Sequence, residues 1–407
     1  MLPVFFKIIF IISTLFMREA SKEFNSQNYK NKYRIEAYYP KGDAPDIKEI
    51  TYALNGFDSL FYREHYSSQE NFSYSPVSLF YLLYSLQAGA DGKTEDELSV
   101  ITGIPYDLSY DEQLNEIIDN TTPITNSIWY QKSLEFSEFY TNFLDRLKFI
   151  PKKVNFQNKS TYKKINSFVN KQTKGTIKNL LKEPLPPESK IVLLNTLYFN
   201  QKWVESFNRK DTYTDKFFIS ENKSVDVQMM SAIGYFDYYI SDEMTLLSLK
   251  YESNRFRFII GFPNNGNYDA NKIDPNLISL IMKNNSSTDK IKIIIPKFKV
   301  ENSLDIVEIL KKMGVYSPFD PARADYSRVL EDEKNICFDT VIQNSSFTID
   351  EEKTVASAAT VSTAKSSDIS NPDSYDSVIK IDRPFLYAIY DEDMDINLFS
   401  GIIRNPQ

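Results

Sequence analysis

Residues 351–375 read EEKTVASAATVSTAKSSDISNPDSY. Thr354, Ala356, Ala358, Thr360, Ser362 and Ala364 fall on every second position, and all are small. A β-strand sends alternate side chains to opposite faces, so this segment can slide between two existing strands without striking the core beneath. As a free loop it has almost nothing to bury, and Ser/Thr/Ala runs also suit linkers. The stretch therefore reads two ways, as solvent-exposed bait or as a strand waiting for a slot. A strand-like run from Phe338 to Ile349 precedes it, and RPFLYAIYD and INLFSGIIRNP follow it.

The rest of the chain narrows the function. At 407 residues and 42% hydrophobic content the sequence can bury a large core, and no repeat or linker divides residues 46–407. Its 47 basic and 55 acidic residues leave a net charge of −8, which argues against nucleic acid or an anionic membrane as partner. His65 is the single histidine, and there is no GxSxG, HExxH or CxxC pattern. A hydrolase needs a nucleophile and a base, so an enzyme is not expected. Cys337 is the sole cysteine, which excludes an internal disulfide and a cysteine metal cluster; in its strand-like run it reads as a small buried hydrophobe. GADGKT at 89–94 is not a phosphate loop, because Gln87 stands where glycine is required and the motif ends a helix instead of following a strand. No cofactor or metal is implied.

The opening MLPVFFKIIFIISTLFMREAS reads as a secretory signal peptide, residues 1–20, with an uncleaved anchor as the alternative. Residues 21–45 are polar and tyrosine-rich and read as a mobile arm. Sequons at Asn120, Asn158, Asn222, Asn284, Asn285 and Asn344 fit a secreted, extracellular glycoprotein.

Within 46–407 the pattern alternates between helix and strand. Ile50, Leu54, Phe57 and Phe61 step at three to four, an amphipathic helix ending near His65. In NFSYSPVSLFYLLYSLQAGADGKTEDEL, residues 71–98, Ser75 can cap a helix, Pro76 suits its first position and Gly89 its end. Ile191 to Phe199 is a nearly unbroken apolar run, as expected of a strand covered on both faces. Asn195 interrupts it, and a buried carboxamide without partners costs roughly 2–7 kcal/mol. Farther on, Ser303 reads as the cap of a helix carrying Leu304, Val307 and Leu310.

These motifs, in order, resemble the serpin family over about nine-tenths of the chain. EEKTVASAAT is similar to the hinge of the serpin reactive-centre loop, the Asn71 to Leu98 stretch to the family's second helix, and ADYS at 324–327 to its Ala-Asp-Phe-Ser element. The resemblance implies an α+β serpin fold: a large central mixed β-sheet, two smaller sheets, about eight to nine helices and an exposed reactive-centre loop at about 351–380. It implies that Ser75, Ser78, Asn195 and Gln343 belong to the shutter, the polar patch beneath the middle of the main sheet, with Asn71 buried there too. Trp203 would belong to the breach, where the loop begins to insert. The hinge would be Glu351, Glu352, Lys353, Thr354, Val355, Ala356, Ser357, Ala358, Ala359 and Thr360.

The implied activity is inhibition of a secreted serine protease as a suicide substrate, by a monomer that forms a covalent acyl complex. The alternative is a non-inhibitory serpin-fold carrier, chaperone or storage protein. Counting seventeen residues from Glu351, as the family pattern does, puts the reactive bond at Ser367–Asp368; Lys365 is the alternative trypsin-like site. Residues 104–125 contain five carboxylates and no Lys or Arg where heparin-activated members carry a basic helix, so heparin activation is not expected. The chain departs from the family pattern at Lys353 for glycine, Val355 for glutamate, Thr196 and Gln201 for alanine and glycine, and Gln343 for a common histidine.

Overall fold

The computed structural model describes residues 47–65, 70–120, 124–175, 177–197, 199–264, 274–331, 336–338, 340–354 and 375–407. Residues 1–46, which include the stretches expected to be a signal peptide and an arm, and loop positions 355–374 lie outside the described residues. The elements begin with α1 (Ile47–His65), β1 (Phe72–Tyr74), α2 (Pro76–Gly89), α3 (Gly92–Thr102), α4 (Tyr110–Asn120), β2 (Ile124–Gln131), α5 (Glu138–Arg146), β3 (Ile150–Val154) and α6 (Thr161–Gln172). There follow β4 (Ile191–Leu197), β5 (Gln201–Lys202), β6 (Tyr213–Ser220), β7 (Lys223–Ile240), β8 (Met244–Lys250), β9 (Phe256–Pro263) and α7 (Pro275–Asn285). The chain closes with β10 (Ser287–Pro296), β11 (Phe298–Asp305), α8 (Ile306–Lys312), β12 (Thr340–Ile349), β13 (Lys353–Thr354), β14 (Val378–Lys380), β15 (Phe385–Asp391) and β16 (Ile396–Ile403).

The central sheet is mixed and runs β3-β2-β4-β12-β13-β5, with β11 on the far side of β12. The second sheet has nine strands, β1-β16-β15-β9-β8-β7-β10-β14 with β6 on β7. It joins the two expected smaller sheets through one 18-residue strand: β7 pairs β6 over Lys223–Met229, β10 over Met229–Tyr238 and β8 over Asp237–Ile240. Eight α-helices are present among the described residues.

α2 threads between the sheets with every residue buried. The Ser75 hydroxyl accepts from the Ser78 N–H at 3.3 Å and caps it, and Pro76 takes its first turn, where no N–H is needed. At Gly89 an added Cβ would lie 2.3 Å from the Val329 side chain, so the helix ends at a contact that only glycine permits. α1 lays Ile50, Leu54, Phe57 and Phe61 into the same core, as their spacing requires.

Three sequence expectations shift. The helix cap after β11 is Asp305, whose carboxylate accepts from Val307 and Glu308, because Ser303 and Leu304 are still paired to β12 as strand. Cys337 is half-buried and precedes β12, which starts at Thr340, so it is not a core strand residue. Asn71 is half-buried away from the shutter. Its carboxamide oxygen accepts from the N–H groups of Arg404 and Asn405 and its amide donates to the Asn405 carbonyl, tying β1 to the end of the chain.

Candidate functional site

β4 and β12 lie side by side in parallel, from Val192 opposite Thr340 to Thr196 opposite Asn344. No strand separates them along this closed part. Beyond it the ladder between them stops, and β13 occupies the gap: Thr354 pairs with Ile349 on one side and Gln201 on the other, and Lys353 with Lys202. The chain thus leaves β12, reverses, and puts Lys353 and Thr354 antiparallel between the ends of two parallel strands. This seam is the candidate site.

Its closed part is polar and buried. Asn195 and Gln343 face each other across β4 and β12. The Asn195 amide donates to Asn126 of β2 at 2.7 Å, while its own carbonyl oxygen has no partner. Gln343 grips α2, donating to the Ser75 carbonyl and accepting from the Ser75 N–H, both at 2.9 Å. Ser78 Oγ, Asn344 Nδ2 and Ser346 Oγ, on α2 and β12, are likewise buried without partners. Buried polar atoms are nearly always paired, so the side-chain polar groups along this seam make fewer hydrogen bonds within the protein than they could.

At the open end the hinge is pinned by its acids. Glu351 is 4% exposed; it accepts from the Lys297 ammonium at 2.8 Å and the Thr212 hydroxyl at 3.0 Å. Burial pushes its carboxyl up, but Lys297, Thr212 and a backbone N–H together outweigh that and hold it below the usual range. Glu352 pairs with Arg209 at 2.9 Å on the rim. Trp203 lies flat on Tyr251, ring centroids 4.6 Å apart, and donates its indole N–H to the Asp350 carbonyl at 2.9 Å. The Trp203 and Phe207 N–H groups donate to the carbonyls of Glu352 and Glu351 at 3.2 and 2.8 Å.

The structure brings together Ser75, Ser78, Asn195 and Gln343 in the closed part, and Trp203, Glu351, Glu352, Lys353 and Thr354 at the open end. Val355, Ala356, Ser357, Ala358, Ala359 and Thr360, together with Lys365, Ser367 and Asp368, lie outside the described residues. Sequence reasoning missed Lys297, Thr212, Arg209, Asn126 and Tyr251. Lys297 had a usable signal: it is a lone cation inside the apolar run IIIPKF. Among its described residues the arrangement pairs no nucleophile with a base, and its open end holds the two-residue strand Lys353–Thr354 between β12 and β5.

A family model described as Serpin (serine protease inhibitor) matches residues 52–406. The chain belongs to the serpin family. This serpin is 28% identical over 376 residues to an uncharacterised serpin-like protein of Thermococcus kodakarensis, covering 88% of this chain and 86% of the relative. It is 27% identical over 362 residues to human protein Z-dependent protease inhibitor, covering 83% and 78%. Among solved structures, Serpin48 of the insect Tenebrio molitor superposes with a TM-score of 0.76 at 25% identity, covering 90% of this serpin and 100% of that chain. The seam between β4 and β12 therefore lies in the main sheet of a serpin fold.

Proposed function

We propose that this serpin inhibits a secreted serine protease as a suicide substrate. The protease serine attacks a carbonyl in the loop downstream of Thr360, at Ser367–Asp368 or at Lys365. The peptide C–N bond breaks, the new amine leaves with a proton, and the acyl group stays on the protease serine as an ester. The freed hinge then extends β13 down the seam, replacing the direct β4–β12 pairing. About 14 residues at ~3.3 Å each carry the tethered protease roughly 45–50 Å. That pull draws the protease's oxyanion hole and base out of alignment before water completes hydrolysis.

The observation that carries this reading is Thr354 already paired between Ile349 and Gln201. The first inserted row exists, and the small alternate residues Ala356, Ala358, Thr360, Ser362 and Ala364 are the ones that follow it. Insertion must run downhill, so the cleaved form gains stability over the intact one. Secretion is part of the proposal and rests on the apolar opening and on the exposed sequons at Asn120, Asn158, Asn222, Asn284 and Asn285; Asn344 is buried in β12 and drops out.

The test is incubation with trypsin-, chymotrypsin- and elastase-like proteases, followed by denaturing electrophoresis. A complex that survives boiling in detergent is expected with at least one of them, and mass spectrometry of the released C-terminal fragment locates the bond. Turnover by every protease, with no rise in the melting temperature of the nicked chain, would leave a non-inhibitory carrier as the better reading.

A further inference from the structure

Beside the point where the loop rejoins the fold, the sheet carries two half-buried lysines, Lys290 and Lys292, that no acid among the described residues neutralises. In the pairing of β10 with β7 and β14, Tyr235 stands opposite Lys290, and Ile233, Lys292 and Val378 form one row. Cross-strand partners share a face, and so do rows two residues apart, so all five side chains project from the same side. Tyr235 is 68% exposed and Val378 49%. The Lys292 ammonium lies 6.0 Å over the ring of Tyr375, itself part of the exposed strip. Among the described residues neither Lys290 nor Lys292 forms an ion pair, whereas Lys380, one row beyond, is neutralised by Asp215 at 2.9 Å. In a chain of net charge −8 this is a cationic strip edged by tyrosines, against the sign of the whole molecule.

The strip is continuous with the bait. The Asp376 N–H donates to the Lys290 carbonyl at 3.0 Å and the Lys292 N–H to the Ser377 carbonyl at 2.9 Å, so the returning loop is docked on the strand that carries both lysines. Residues 376–380, just after the loop, run along the strand that carries both lysines, so the strip lies next to the end of the loop. Resting on the inhibitor reading above, we propose that Lys290, Lys292, Tyr235 and Val378 form a second contact for the target protease, and that they engage an acidic patch on its surface next to the active-site cleft. Such charge complementarity acts on the rate of encounter, with the exposed tyrosine and valine adding contact area once the two meet. The loop would then choose which bond is cut, and the strip which protease arrives fastest.

The experiment measures the second-order rate constant of complex formation between the intact chain and whichever of the three proteases it traps most rapidly, across a series of salt concentrations. Lys290→Glu/Lys292→Glu should lower that constant on the order of tenfold at low salt and flatten its salt dependence, with the stoichiometry of inhibition unchanged. Lys290→Gln/Lys292→Gln should fall between, and Tyr235→Ala should lower the constant without changing its salt dependence. Melting temperatures equal to the parent's show that the variants fold. A charge-reversed variant that traps at the parental rate with the parental salt slope overturns the second contact while the inhibitor reading survives. Failure of the parent chain to form a detergent-stable complex with any protease overturns both.

Discussion

Gln343 of β12 holds both backbone groups of Ser75: its amide donates to the Ser75 carbonyl and its oxygen accepts from the Ser75 N–H, each at 2.9 Å. Both residues are 1% exposed, so neither backbone group can turn to water instead. The clamp ties the capped start of α2 to β12 in the row where β12 faces Asn195 of β4. Gln343→Ala should strand a buried donor and a buried acceptor and cost about 2–4 kcal/mol, read as a lower urea midpoint. Gln343→Glu should also destabilise, because it replaces a donor with a buried charge. Unchanged midpoints in both would show that water or a shift of α2 replaces the clamp.

The hinge anchor makes a second prediction. Lys297→Met leaves the Glu351 carboxylate buried with Thr212 and a backbone N–H as its partners; because the Lys297 side chain is itself 39% exposed and screened by water, the loss should be about 1–2 kcal/mol. Because the Glu351 carboxyl is held below its ordinary value, the pair's contribution is present above about pH 4.5 and is lost as pH falls through the lowered folded value. The parent chain should therefore lose stability on acidification more steeply than Lys297→Met. The exchanged pair Lys297→Glu/Glu351→Lys should recover part of the loss; a double variant no better than the sum of the singles would deny the pairing.

Asp58 of α1 behaves in the opposite sense. It is buried with no cation beside it; its carboxylate accepts from the Tyr74 hydroxyl, from Asn397 at 2.9 Å and from Ser400 at 3.0 Å. Burial pushes its carboxyl up to about 7 against those three hydrogen bonds. The folded chain thus keeps a proton that the unfolded chain releases near pH 4, so this group's stabilisation is full below about pH 4 and declines as pH rises to about 7. Asp58→Asn can keep its oxygen toward Asn397 and Ser400 and turn its amide to Tyr74, whose hydroxyl can accept. It should be more stable than the parent at pH 8 and lack the parent's slope between pH 4 and 7. A parental slope in the variant would assign that slope to another group.

The insertion step is tested in the loop itself. Ala358→Arg puts a long cation at a position that must face the core once β13 is extended, so it should stop insertion without altering attack on the bond. The expected result is cleavage in place of trapping, and no gain in melting temperature on nicking. Undiminished trapping by Ala358→Arg would show that this position does not face inward.

At Gly401 of β16 an added Cβ would lie 2.2 Å from the Phe72 carbonyl of β1 and 2.6 Å from the Tyr387 hydroxyl. Gly401→Ala must therefore push β1 off the sheet, at a cost of about 3 kcal/mol. Thermal unfolding checks it, and a parental melting temperature would mean that β1 moves freely.

Local pattern was enough for much of this protein. The small alternate residues from Thr354 onward, the Ser75–Pro76 start of α2 and the apolar run from Ile191 are periodicities and caps, which act between neighbours and can be read without a fold. The same reasoning misplaced the cap at Ser303, because pairing with β12 keeps Ser303 and Leu304 in a strand that their local pattern does not announce. The family resemblance implies Asn71 in the shutter, yet its contacts are with Arg404 and Asn405.

By itself, then, the sequence determined the capped start of α2, the buried strand from Ile191 and a run of small alternate residues from Thr354 that reads as an inserting strand or as a linker. Only the tertiary structure decided what holds that segment at the threshold. Lys297 meets Glu351 across 54 positions, Gln343 meets Ser75 across 268 and Asp58 meets Asn397 across 339. Hydrogen bonds and ion pairs between buried groups are set by which strands and helices pack together, and nothing in the local spacing of these residues encodes that choice.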